Sequence, residues 1–168
     1  MRERLQFDWT QLSRARRLTS ERYPCSARLA DEMRALATAF AARHVALNFS
    51  IESLAVAETL SHGNESADPP IDMAAYVGEV ALRTASGGCW VAEPAGAIIR
   101  FDIWMWNPLE LVQAVRTGRS VPLVEAVLKI AEFGSNPTRR AAKRLRFHPR
   151  STVDGHAVYA LPARFDPD

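Results

Sequence analysis

Apolar residues recur every three or four positions along most of this chain, and every second position in one stretch after residue 88. The contrast predicts helices on both sides of a strand-forming middle. Residues 8–19 read as a short helix, with Trp9 and Leu12 three apart, Leu18 beyond them, and Arg14, Arg16 and Arg17 making it basic. Tyr23-Pro24 ends it, because a residue before proline is pushed out of the helical region. From 26 to 47, Leu29, Met33, Leu36, Phe40 and Leu47 form one stripe among many alanines, which favour helix. His44 falls on that stripe and reads as a core or boundary residue, since no second ligand stands four positions away. Ser50 is suited to cap a helix carrying Ile51, Leu54, Ala55 and Leu60, which Gly63 closes. A further helix over 71–85 turns Met73, Ala74, Val77, Val80, Ala81 and Thr84 inward, with Asp72 and Arg83 suiting the two ends of its dipole.

Gly87-Gly88 stops that helix, and Cys89 to Glu93 follows as a strand. Pro94-Ala95-Gly96 supplies a reversal of hairpin type. Residues 97–106 read as one long strand, with Ala97, Ile99, Phe101, Ile103 and Met105 on one face and Ile98, Arg100, Asp102, Trp104 and Trp106 on the other. The first face should meet the helices; the two tryptophans of the second point to cover by another segment, the favoured reading, or to a partner surface. Helices over 109–117, closed by Gly118, and over 121–133, with Val124, Val127, Leu128 and Ala131 inward, come next. A basic helix over 138–146 and a short strand over 156–161 at a sheet edge complete the pattern. The fold class is α+β: a small antiparallel sheet built on a hairpin of about 89–106, packed against several helices.

Length narrows the organisation to a single domain over residues 1–168, with the basic segments 1–23 and 137–168 as extensions of its core. Apolar and charged fractions of 48% and 24% are ordinary for a globular protein. Cys25 and Cys89 share no motif spacing and read as reduced thiols of a cytoplasmic protein. No window is long and apolar enough for a membrane span, so no membrane partner is expected. The net charge of +2 conceals a segregation. Residues 51–110 hold nine acids against two arginines, whereas 137–150 hold Arg139, Arg140, Lys143, Arg144, Arg146 and Arg150 with no acid. Such a split steers charged partners or pairs the tail with the acidic middle of the same fold.

Candidate chemistry is sparse. The four histidines, His44, His62, His148 and His156, have no metal-ligand spacing, and neither a metal nor another cofactor is expected. Ser86-Gly87-Gly88 follows a helix and precedes a strand, the reverse of a nucleophile elbow. Glu79 and Glu93 are the only acid/base candidates, and a polar residue at the edge of the core explains Glu79 equally. Arg139, Arg140, Lys143, Arg144 and Arg146 suit phosphate contacts, but no helix-turn-helix or RNA-binding aromatic motif accompanies them.

One ordered set of motifs remains. Ser50-Ile-Glu-Ser-Leu54 opens a helix, Tyr76-Val-Gly78-Glu79 lies in the next, Gly87-Gly88-Cys-Trp90 makes the turn, and a proline-led helix runs from Pro108 to Gly118. Over about residues 48–130 this set resembles an uncharacterised bacterial domain family of unknown function. The resemblance implies packing roles for Tyr76, Gly78, Glu79, Gly87, Gly88 and Trp90 and implies no reaction. Gly78, costly inside a helix, should permit close approach of another backbone, with Trp90 capping the contact. The leading reading is a non-enzymatic protein that binds another protein, of accessory or immunity type, through Arg100, Asp102, Trp104 and Trp106. The alternatives are a nucleic-acid-binding module using 138–150, and a small enzyme using Glu79 or Glu93.

Overall fold

The structure, a computed structural model, describes residues 12–15, 24–62, 70–85, 87–94, 96–101, 104–135, 148–153 and 156–160. The elements in chain order are β1 (Leu12–Ala15), α1 (Ala27–Ala41), α2 (Ser53–His62), α3 (Ile71–Thr84), β2 (Cys89–Glu93), β3 (Gly96–Phe101), β4 (Trp104–Trp106), α4 (Pro108–Arg116), α5 (Leu123–Ser135), β5 (His148–Val153) and β6 (His156–Ala160). All strand pairs are antiparallel, in the order β2-β3-β4-β1-β6-β5. The α+β class and the hairpin of 89–106 hold, with the helices packed on the sheet face that carries Trp90, Ile99, Phe101 and Trp106.

The centre is α3, in which every residue from Met73 to Ala81 is buried. A one-sided stripe was expected there. Instead α1, α2, α4 and α5 pack around it, so polar Tyr76 and Glu79 and small Ala75 and Gly78 are enclosed with the apolar positions, while Thr84 is exposed. Local chemistry sets the helix ends. Ser26 Oγ accepts from Leu29 N–H at the start of α1, and Asn107 Oδ1 accepts from Leu109 N–H at the start of α4, where Pro108 needs no donor. Ser50 Oγ accepts from Ser53 N–H at the entry to α2, and the Glu58 carboxylate accepts from Leu123 N–H at the start of α5.

Several expectations are corrected. Residues 12–15 form strand β1 and not a helix, pairing with β4 on one side and β6 on the other. Two ladders outweigh the weak local preference of a short basic segment. The single strand over 97–106 is two strands, β3 and β4, that pair with each other: Phe101 stands opposite Trp104, Arg100 opposite Met105 and Ile99 opposite Trp106. The antiparallel register of β3 and β4 resets the alternation, so Trp106 shares a face with Ile99, and Met105 joins Ile98 and Val91 on the other. β6 lies between β1 and β5 and is not the edge; β5, unanticipated, is. His44 is exposed and its Nδ1 accepts from Ala46 N–H. Leu36, Leu60 and Leu128 are exposed where a buried stripe was expected.

The cysteines are the largest correction. Cys25 and Cys89 are joined in a disulfide with their Cα atoms 5.6 Å apart, across 64 positions of sequence. Sequence separation hid them, since neither belongs to a motif. The fold brings Cys25, which precedes the cap of α1, beside the first residue of β2. Among the described residues no helix is long and apolar enough to cross a membrane.

Candidate functional site

Of the residues singled out around the Gly87-Gly88 turn, Gly78 and Glu79 meet at Trp90. A Cβ on Gly78 would lie 2.3 Å from Trp90 Cη2, so only glycine at this turn of α3 lets the indole lie against the helix. The partner in the close approach is thus a side chain, where a backbone was expected. Gly88, with φ of 110°, faces Phe101 so closely that a Cβ would lie 2.6 Å from its ring. This residue both turns the chain and clears room for the core. Trp90, buried, donates its Nε1–H to Glu79 Oε1 at 2.9 Å. Arg34 Nε lies 3.8 Å from Glu79 Oε2 and is itself held by Asp31. Glu79 is 5% exposed, and a buried carboxylate is costly unless both oxygens are engaged. Its geometry is that of a clamp on Trp90 and α1.

Tyr76 has a parallel task. Its hydroxyl accepts from Phe49 N–H at 3.0 Å and lies 2.6 Å from Ser53 Oγ, which also reaches the Ser50 carbonyl. Phe49 sits at φ of 61°, uncommon for a residue with a side chain, and the Tyr76 hydroxyl holds it there. The Ser-x-x-Ser start of α2 and the tyrosine of α3 thus form one hydrogen-bonded knot.

Trp90 separates two clefts. On one side lies an open bowl of about 530 Å³ between α1, the end of α3 and β2, walled by Cys25, Arg34, Glu79, Arg83 and Cys89. Arg83 stands 4.0 Å over the Phe49 ring, a cation–π contact that fixes its guanidinium. Arg100, directly across the ladder from Cys89, places Nη2 3.3 Å from Cys25 Sγ and 3.8 Å from Cys89 Sγ.

On the other side is a cleft of about 360 Å³ lined chiefly by Leu29, Met33, Ile71, Ala97 and Leu109, with Glu93 and Asn107 as its polar groups. Ile71 is half exposed at its mouth. β2 is the last strand of the sheet, and Ser26 N–H donates to the outward Trp90 carbonyl at 3.0 Å. Alternation points the backbone of Ala92 the same way, and it has no partner among the described residues. Beside this cleft Glu110 is held above the usual carboxylate range, first by burial and then by the charge of Glu93, with the Asn107 side chain partly offsetting both.

The expected partner surface is not assembled as such. Trp106 is buried at 1% exposure in the helix-facing core, Arg100 is half-buried on the disulfide, Trp104 stands opposite Phe101 in the ladder, and Asp102 lies outside the described residues. Arg139, Arg140, Lys143, Arg144 and Arg146 also lie outside the described residues. Glu79 and Glu93 line different clefts. Among the described residues no group of histidines, cysteines and carboxylates could hold a metal ion. Sequence reasoning missed the disulfide, the part of Arg34 and the placing of Glu110 beside Glu93. The wall of the apolar cleft was partly legible, because Leu29 and Met33 stand four apart on the stripe of α1.

No protein-family model, curated protein or solved structure matches the chain. The resemblance over residues 48–130 rests on its motifs alone, and a functional reading has only the geometry to draw on.

Proposed function

We propose that this protein is a non-enzymatic binding protein, of accessory or immunity type, that takes an extended segment of a partner protein along the open edge of β2. One observation carries this reading: an apolar cleft of about 360 Å³ adjoins the outward backbone of Ala92. Strand addition at a free edge supplies main-chain hydrogen bonds, and a neighbouring pocket supplies side-chain selectivity. The clamp on Glu79 fits the same reading, since its two carboxylate oxygens face Trp90 and Arg34. The disulfide removes the thiol argument for a cytoplasmic setting, because persistent disulfides belong to oxidising compartments or to redox-active sites.

The test is a displayed library of short peptides selected on the full chain. Ala97→Trp fills the cleft from β3, where position 97 is only partly buried. Enriched peptides with an apolar anchor whose affinity falls at least about tenfold, or 1.4 kcal/mol, on Ala97→Trp would support the reading. No enrichment, or equal affinity for the filled variant, would overturn it.

A further inference from the structure

The apolar cleft and the charged bowl share Trp90 but have different chemistry, and the bowl adjoins the disulfide. Cys25 is exposed, whereas Cys89 is half-buried in the ladder. Cys25 directly precedes the cap of α1, so the positive end of that helix dipole is close to its sulfur. Arg100 reaches both sulfurs, at 3.3 and 3.8 Å. A disulfide kept only for stability needs no cation against its sulfurs, for the bonded pair carries no charge. A guanidinium there matters once the bond opens, because it stabilises the thiolate that leaves. The adjoining bowl of about 530 Å³ adds Arg34 and Arg83. Glu79 and Asp31 offset Arg34, which leaves Arg83 as the excess positive charge of the bowl, while Arg100 approaches the sulfurs from across the ladder.

We propose that Cys25–Cys89 is an exchange-active disulfide, attacked at Cys25 by a small anionic thiol that settles in the bowl. The thiolate of the incoming molecule forms a bond to Cys25 Sγ while the Cys25–Cys89 bond breaks. The electron pair leaves on Cys89 Sγ, which accepts from Arg100 and then takes a proton from water. A second thiolate attacks the sulfur of the bound molecule, releasing Cys25 as a thiolate and the two small thiols as one disulfide. Two thiols are oxidised and one protein disulfide is reduced, so no further oxidant or reductant is needed. Reduction also removes one of two ties between the start of α1 and β2, leaving the Ser26 N–H bond to the Trp90 carbonyl; α1 carries Leu29 and Met33 in the wall of the apolar cleft.

The oxidised full-length protein is mixed with glutathione, an anionic thiol, or with cysteamine, a cationic one, at equal thiolate concentration. Alkylation and mass spectrometry then follow the reaction. The expected adduct is on Cys25, with Cys89 alkylated, formed at least about fivefold faster with glutathione, the scale of local electrostatic steering. Arg100→Gln is expected to slow opening at least about threefold and Arg100→Lys to restore it, the size of effect a stabilised leaving thiolate gives. Adducts on Cys89, equal rates for the two thiols, or opening whose rate ignores thiol concentration would each overturn the proposal. These outcomes are read on the unaltered protein, so they hold even if an Arg100 variant fails to fold.

Discussion

The two clefts on either side of Trp90 share α1, α3 and β2, to which the apolar one adds β3 and the start of α4, and they differ in almost every physical respect. One is apolar and lies beside β2, the last strand in the sheet order, with two carboxylates near it. The other is an open bowl with guanidinium groups and a disulfide in its wall. Their common wall is a single indole, fixed by the absence of a side chain at Gly78 and by the Glu79 carboxylate. The difference teaches that the clearest landmark of the sequence, the turn leading to Trp90, is a partition. Chemistry lies in what the neighbouring elements bring to each side of it.

Removing the partition should have the largest effect. Trp90→Ala takes a buried indole out of contact with α3 and leaves Glu79 with only Arg34 at 3.8 Å. A loss of about 3–5 kcal/mol in urea unfolding is expected, the range for buried aromatic truncation. Binding in both clefts should fall together in this variant. A change below about 1 kcal/mol would mean that the partition is not structural.

Gly78→Ala tests the same wall from the other side. Alanine gains about 1 kcal/mol of helix propensity over glycine. Its Cβ would nonetheless stand 2.3 Å from the indole, which must then shift. Overpacking of this kind costs about 1–3 kcal/mol, so the net expectation is destabilisation by ~1 kcal/mol, read as a lowered urea midpoint. A raised midpoint would show that the indole has room to move.

These two residues were legible in the sequence because a glycine inside a helix and a tryptophan just after a double glycine break local rules. Tyr76 was legible as a motif residue, although its link to Phe49 and Ser53 required the fold. The helices of the centre were readable for the same reason: their period is local. What could not be read depended on pairing between distant segments. Two ladders turned residues 12–15 into a strand, antiparallel pairing of β3 with β4 moved Trp106 from a surface to the core, and the packing of α1 beside β2 brought Cys25 to Cys89. No short-range pattern encodes any of these. The expectation of reduced thiols failed in the same way, having treated separation in sequence as separation in space.

Tyr76→Phe leaves both clefts alone and so serves to show what damage outside them looks like. It removes the hydroxyl that serves Phe49 N–H and Ser53 Oγ. Leaving these groups without that partner should cost about 1–2 kcal/mol in urea unfolding, with exchange of the disulfide by thiols unchanged. A faster exchange would mean that the knot around Phe49, over which Arg83 stands, governs the bowl as well.

The smallest expected effect concerns pH, and it distinguishes the clefts by charge. Glu110 binds its proton more tightly in the folded chain than a free carboxylate does, owing first to burial and then to Glu93. In the window between the ordinary carboxylate value and the raised one, the folded state holds more protons than the unfolded state. Stability from this group is therefore full below the ordinary value and declines as pH rises through the raised one. Glu110→Gln should flatten that part of the stability profile. Glu93→Gln should lower the Glu110 midpoint in a carbon-13 titration without returning it to the ordinary value, since burial remains. If Glu93→Gln leaves the midpoint where it was, the two carboxylates do not share the apolar cleft. Any cation preference of the apolar cleft should weaken as the pH is lowered through the Glu110 midpoint, and an effect of Arg100 on the disulfide should not follow it.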